Sequence, residues 1–89
     1  MIWKPVPGYE HLYEISDTGR LRNVGTRTEL RPGIMKSGNA LYCLSDRGTR
    51  SFTAARLVCM AFHGPGNGRR AVHVSTDLSD DSVGNVRWE

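Results

Sequence analysis

The sequence predicts an α+β fold in a single domain. Three observations carry that expectation. Gly and Pro punctuate the chain evenly instead of gathering in a linker, which favours short strands and tight turns. Apolar and polar residues alternate in several short runs, the period of a half-buried strand. The alternation gives way over Ala54–His63 to a cluster of helix formers. At 89 residues the chain is too short for two domains of about 100–150 residues each.

Taken in order, Trp3–Tyr9 reads as an extended segment entering a turn, and Leu12–Ser16 as a strand. Asp17-Thr18-Gly19 is a tight turn, because Gly supplies the left-handed position such a turn needs. Arg20–Val24 alternates again and closes a hairpin. Leu21 then faces the core, and Arg20 and Arg22 share the opposite face. Thr28–Arg31 reads as a short strand ending at Pro32-Gly33. Asn39–Leu44 and Thr49–Phe52 form a second hairpin through Asp46-Arg47-Gly48. In the helix over 54–63, Thr53 is the N-cap and Leu57, Val58, Met60, Ala61 and Phe62 fill the apolar stripe. Gly64–Gly68 stops it. Ala71–Val74 is a strand, and Asp80 or Ser79 caps a last short helix near 81–86.

The charge balance is 12 basic against 9 acidic residues, a net +3, and ten of the basic side chains are Arg. Residues 1–56 carry nine basic and five acidic groups, whereas residues 57–89 carry three and four. A basic N-terminal surface that meets a polyanion fits this distribution, since the Arg fork matches phosphate and base edges. The longest apolar run, Leu57–Phe62, is too short for a membrane span. Met1–Pro5 lacks the apolar core of a signal peptide, so a cytoplasmic protein with no membrane partner is expected. Cys43 and Cys59 have no metal-binding spacing and read as two buried, reduced thiols.

Among the candidate chemical groups, His73 stands beside Asp77, Asp80 and Asp81. A histidine so placed can act as a general base, share a metal with carboxylates, or be a structural residue hydrogen-bonded to its own loop. His63 reads as a helix cap and His11 as a surface residue. The three Asp residues lack the Gly and closing Glu of a calcium loop, and the bland alternative puts Asp80 and Asp81 at a helix N-terminus. No phosphate-binding Gly-Lys-Ser/Thr loop and no defensible Ser–His–Asp pattern is present.

The stretch Trp3-Lys4-Pro5-Val6-Pro7-Gly8-Tyr9-Glu10-His11-Leu12-Tyr13-Glu14-Ile15-Ser16-Asp17-Thr18-Gly19-Arg20-Leu21-Arg22-Asn23 resembles the modular DNA-binding element at the N-terminus of phage HNH homing endonucleases. Arg56-Leu57-Val58, Ala61-Phe62, Gly64-Pro65, His73 and Asn85-Val86-Arg87-Trp88 are similar to the HNH domain of the same family. The resemblance implies a DNA-binding-like element over 1–24 and an HNH-like ββα-metal unit over 25–89, in one compact domain. It implies that His73 is the general base and that Asn85 fixes the loop by backbone hydrogen bonds. In an active member a divalent ion such as Mg²⁺ stabilises charge on the phosphate.

Several positions depart from the family pattern. Ala55 stands where a His precedes Arg-Leu-Val, and Val72, which has no donor atom, where a metal ligand precedes the base. Ser75-Thr76 replaces Asp-Gly, and Asp80-Asp81 replaces an Asn pair. The last ligand belongs beyond Trp88, and the sequence ends at Glu89. No metal ligand is therefore assigned and no resident cofactor is expected. Three functions follow from this reading. The first is a pseudo-nuclease that binds double-stranded DNA or a host protein inside a phage-infected cell. The second is an active metal-dependent nicking endonuclease, with Asp77, Asp80 and Asp81 as substitute ligands. The third is an interaction module without DNA affinity. The DNA contacts expected from the basic N-terminal part are Lys4, Arg20, Arg22, Arg31, Arg47 and Arg50.

Overall fold

A computed structural model describes residues 1–89. Three antiparallel strands come first: β1 (Trp3–Pro5), β2 (Tyr13–Ser16) and β3 (Leu21–Asn23), in the order β1-β2-β3. The turn between β2 and β3 has a three-residue loop, Asp17-Thr18-Gly19. Ser16 N donates to Arg20 O at 2.8 Å, Gly19 N donates back to Ser16 O at 3.1 Å, and Gly19 takes φ +88°. That left-handed step is what a three-residue hairpin requires. It fixes the register, with Ile15 opposite Leu21 and Glu14 opposite Arg22. Ile15 and Leu21 are fully buried.

The second sheet consists of β4 (Gly33–Ile34), β5 (Ala40–Ser45) and β6 (Thr49–Thr53). Alternation along β5 puts Tyr42 and Leu44 in the core and leaves Cys43 facing solvent. The expected pair of buried thiols is thus corrected: Cys59 is buried and Cys43 is exposed, because the period of two gives Cys43 the face opposite its neighbours. The strand expected over 28–31 is also corrected. It amounts to one bridge, Glu29 to Arg22. Pro32 offers no amide to continue a ladder, and pairing resumes only at β4.

Helix α1 spans Ala54–Phe62, with the Thr53 side chain accepting from Arg56 N at 3.2 Å as its N-cap and His63 as its C-cap. Its buried residues are Ala54, Ala55, Leu57, Val58 and Cys59, while Met60, Ala61 and Phe62 are only partly covered. The helix therefore seals the core with its first two turns. After a Gly-rich loop comes β7 (Ala71–His73), paired antiparallel with β8 (Val86–Trp88). The last helix expected over 81–86 is replaced by a single 3₁₀ turn, Val83–Asn85, leading into β8. Neither Ser79 nor Asp80 caps it. The Asp80 carboxylate instead accepts from Ser82 N at 3.2 Å and Ser82 Oγ at 2.6 Å, closing a local turn.

The α+β architecture of antiparallel sheets and one helix matches the sequence expectation. A strand–strand–helix order occurs in β5-β6-α1, whereas His73 belongs to the separate hairpin β7-β8, on which α1 also packs. Val6, Ile15 and Leu21 share one core with Leu44, Leu57, Val58 and Val86, so residues from both 1–24 and 25–89 build it.

Candidate functional site

His73 is the last residue of β7, and its ring turns inward. His73 Nε2 lies 2.7 Å from Asp81 Oδ1, and the two side chains are only 5% and 7% exposed. With the carboxylate ionised, Nε2 carries the proton and donates, since a carboxylate only accepts. Burial pushes the Asp81 carboxyl above its usual range, against the hydrogen bond and charge of His73, and with the neighbouring Asp80 and Asp77 adding to the rise. Asp81 is held there by its surroundings. Its Cβ sits so close to Gly19 that a side chain on Gly19 would come within 2.6 Å. Two residues on, Val83 N donates to Asp17 O at 2.8 Å. The loop that carries Asp81 is thereby pinned to the β2–β3 turn of the N-terminal sheet.

Asn85 braces the same loop from within. Its Oδ1 accepts from Ser75 N at 3.1 Å and its Nδ2 donates to Asp80 O at 2.8 Å. His63, beyond capping α1, lies with Nε2 2.9 Å from Val83 O and donates to it. His11 is exposed. Asp77 is spent locally, accepting from Ser79 N and Ser79 Oγ at 3.0 and 2.6 Å. These residues do not fit a catalytic divalent ion. The nearest carboxylate closes on His73 itself, Asp77 and Asp80 turn to Ser79 and Ser82, and Val72 brings no donor. No three His, Cys, Asp or Glu side chains converge anywhere in the chain.

The six basic residues chosen from sequence are dispersed and unequally free. Arg22 Nε donates to Glu14 Oε1 at 2.8 Å, and its guanidinium lies 4.1 Å over the Trp3 ring. Arg20 pairs with Glu29 at 3.6 Å. The face that Arg20 and Arg22 share therefore also presents Glu14 and Glu29, and its charge is largely neutralised. The β2–β3 register already sets Glu14 opposite Arg22, so a three-residue turn at 17–19 was the signal that could have revealed this. Lys4 lies 4.9 Å over the Phe62 ring and Arg50 lies 5.2 Å over Phe52. Arg31 is exposed, and Arg47 occupies the β5–β6 turn at φ 56°. None of the six lines the one cavity of the molecule, whose basic residues are Arg56, Arg69 and Arg70.

The comparisons bear on both halves of this arrangement. Residues 1–48 match the model of the NUMOD4 motif. A solved structure described as "DNA binding and cleavage by the HNH homing endonuclease I-HmuI" superimposes with a TM-score of 0.90 at 28% identity. The match covers 100% of this chain and 52% of that one, so the chain spans about half the length of its structural relative. No curated protein matches the sequence.

Proposed function

Since the chain belongs to the NUMOD4 family, we propose that it is a DNA-binding relative of the HNH homing endonucleases whose nuclease centre does not cut. One observation carries the second half of this reading: His73, which the sequence resemblance puts in the place of the general base, is closed on Asp81 at 2.7 Å with its side chain 5% exposed. A base must reach the proton it abstracts, directly or through one water; Asp81 occupies His73 Nε2, and no three potential ligands converge beside the ring to hold the divalent ion such a nuclease uses. The like overlay with a DNA-cleaving enzyme supports the first half. On this reading double-stranded DNA is the partner, and no resident metal or other cofactor is needed. Residues 1–24 act as the DNA-binding-like element and 25–89 as the HNH-like unit. Lys4, Arg31, Arg47 and Arg50 contribute free positive charge, and Arg20 and Arg22 contribute less, being engaged by Glu29 and Glu14. Asn85 keeps the loop in shape.

A second reading has one observation in its favour. A carboxylate that holds one ring nitrogen of a histidine can orient it as a base, and His73 makes no protein hydrogen bond through Nδ1. Asp81 would then be the orienting partner in an active nicking enzyme. A supercoiled plasmid incubated with the wild type under Mg²⁺, Mn²⁺ or Zn²⁺ separates the two, with binding read by gel shift in the same tubes. The expected result is a salt-sensitive shift and an intact plasmid. Open-circle product that disappears with His73→Ala would establish the enzyme instead. A plasmid neither bound nor cut would overturn the DNA reading and turn the search to a host protein.

A further inference from the structure

The strongest unassigned feature is a groove of about 750 Å³ between α1 and the loop that precedes β7. Three arginines line it: Arg56 from α1, and Arg69 and Arg70 from the loop. All three residues are exposed, none is in an ion pair, and no acidic residue lines the groove. Trp88, Met60 and Pro7 supply apolar wall.

The backbone around the groove is built to hold this arrangement. Arg69 N donates to Gly66 O at 3.0 Å, closing a turn whose two central residues, Asn67 and Gly68, take φ 53° and 85°. Both signs are those of a type I′ turn, which Asn-Gly adopts with little strain. Gly66 lies flat on the Trp88 indole, where a Cβ would stand 3.0 Å from the ring. Trp88 Nε1 in turn donates to Gly64 O at 2.9 Å. Arg70 is fixed from the other side, as its carbonyl accepts from Glu89 N at 2.9 Å. The positive stripe also continues past the groove, because the guanidinium groups of Arg56 and Arg50 both lie on the Phe52 ring, 5.4 and 5.2 Å from its centroid. Like charges gathered without a carboxylate repel one another, and an anion that bridges them removes the repulsion.

We propose that this groove seats the phosphodiester backbone of DNA, with Arg56, Arg69 and Arg70 as the phosphate contacts. The occupant is chosen by charge and shape. Planar forks match phosphate oxygens in pairs, and the Trp88, Met60 and Pro7 wall suits the apolar face of a sugar. The assignment rests on the DNA-binding reading above and names a surface that reading does not contain. It moves the centre of binding from the neutralised Arg20–Arg22 face to the junction of α1 and the β7–β8 hairpin.

The test is the affinity of the full chain for a labelled duplex, measured by fluorescence anisotropy across a salt series. The variants are Arg69→Ala/Arg70→Ala, Arg56→Gln, Arg69→Lys/Arg70→Lys, and Lys36→Ala, a charge outside the groove. Each phosphate contact contributes a slope of about 0.9 in log affinity against log salt. The Ala double variant is expected to bind about tenfold more weakly at about 0.1 M salt, with a slope lower by about two. Arg56→Gln lowers the slope by about one. The Lys double variant keeps the slope, and Lys36→Ala leaves both quantities unchanged. The side chains are exposed, so circular dichroism is expected to show the wild-type fold in each case. A wild type that binds with a steep salt slope, joined to an Ala double variant that binds equally well, would overturn this assignment alone. A wild type with no affinity for the duplex would overturn it together with the reading it rests on.

Discussion

The two thiols show how much a single position decides. Cys59 lies fully buried on the inner face of α1, and burial pushes its thiol up to about 11. Cys43 lies on the outer face of β5, with Sγ 3.5 Å from Ser51 Oγ. A thiol-reactive probe at neutral pH is therefore expected to modify one cysteine quickly and the other only on unfolding. Mass mapping of the fast adduct should place it on Cys43, and a fast adduct on Cys59 would contradict the burial. The Cys59 shift also has a sign in stability. Between about pH 8.5, where an unperturbed thiol ionises, and about 11, the native state holds a proton that the unfolded chain has released. Stability therefore falls as pH rises through that window. At the same scale the sequence made His73 legible as a group worth finding, and it named Asp81 among the nearby acids. That the two close on each other was not legible. Spacing along a loop does not say which of three carboxylates points inward; here Asp81 does so because its loop docks against Gly19.

At the scale of elements, alternation and turn chemistry identified the β2–β3 and β5–β6 hairpins, and the Thr53 cap located α1. What escaped were elements made by non-local pairing. The strand β8 is three residues long and exists because Val86 meets His73 across the loop, so its own residues show neither period clearly. Similarly, β4 is two residues laid against β5. The turn at 17–19 carries the most weight among these pieces, since it sets a hairpin register and also receives the Asp81 loop. Gly19→Ala meets both demands badly, with a left-handed φ of +88° and a Cβ 2.6 Å from Asp81 Cβ. A loss of about 3 kcal/mol is expected in urea unfolding, from backbone strain and overpacking together. Gly8→Ala is the control: its φ is +86° but nothing lies within 4 Å, so only the strain of about 1 kcal/mol should register. Equal costs at the two sites would show that the Gly19–Asp81 contact does not matter.

On the scale of the whole molecule, one core joins the N-terminal sheet to α1 and the C-terminal hairpin. The His73–Asp81 pair, the Val83–Asp17 hydrogen bond and the Tyr42 hydroxyl donating to Gly19 O at 3.1 Å reinforce the same junction. The segment that resembles a DNA-binding element and the hairpin that resembles a nuclease centre are thus mechanically one body. Net charge by segment pointed to the N-terminal part, yet the face on which Arg20 and Arg22 lie is balanced by Glu14 and Glu29. The free cluster comes instead from Arg56, Arg69 and Arg70. It was hidden from the composition because Arg69 and Arg70 fall in the stretch of the chain that carries net negative charge.

On the proposed function, His73 holds the fold together and does not perform chemistry. This role is tested by urea unfolding of the wild type and His73→Ala, with plasmid nicking measured on the same preparations. Removing the ring leaves the buried Asp81 without its partner, and a loss of about 3 kcal/mol is expected. That is a large share of the roughly 5–15 kcal/mol that stabilises a domain of this kind. The expected result is a markedly less stable variant and no nicking by either protein. Unchanged stability in His73→Ala, together with metal-dependent nicking by the wild type alone, would contradict the claim.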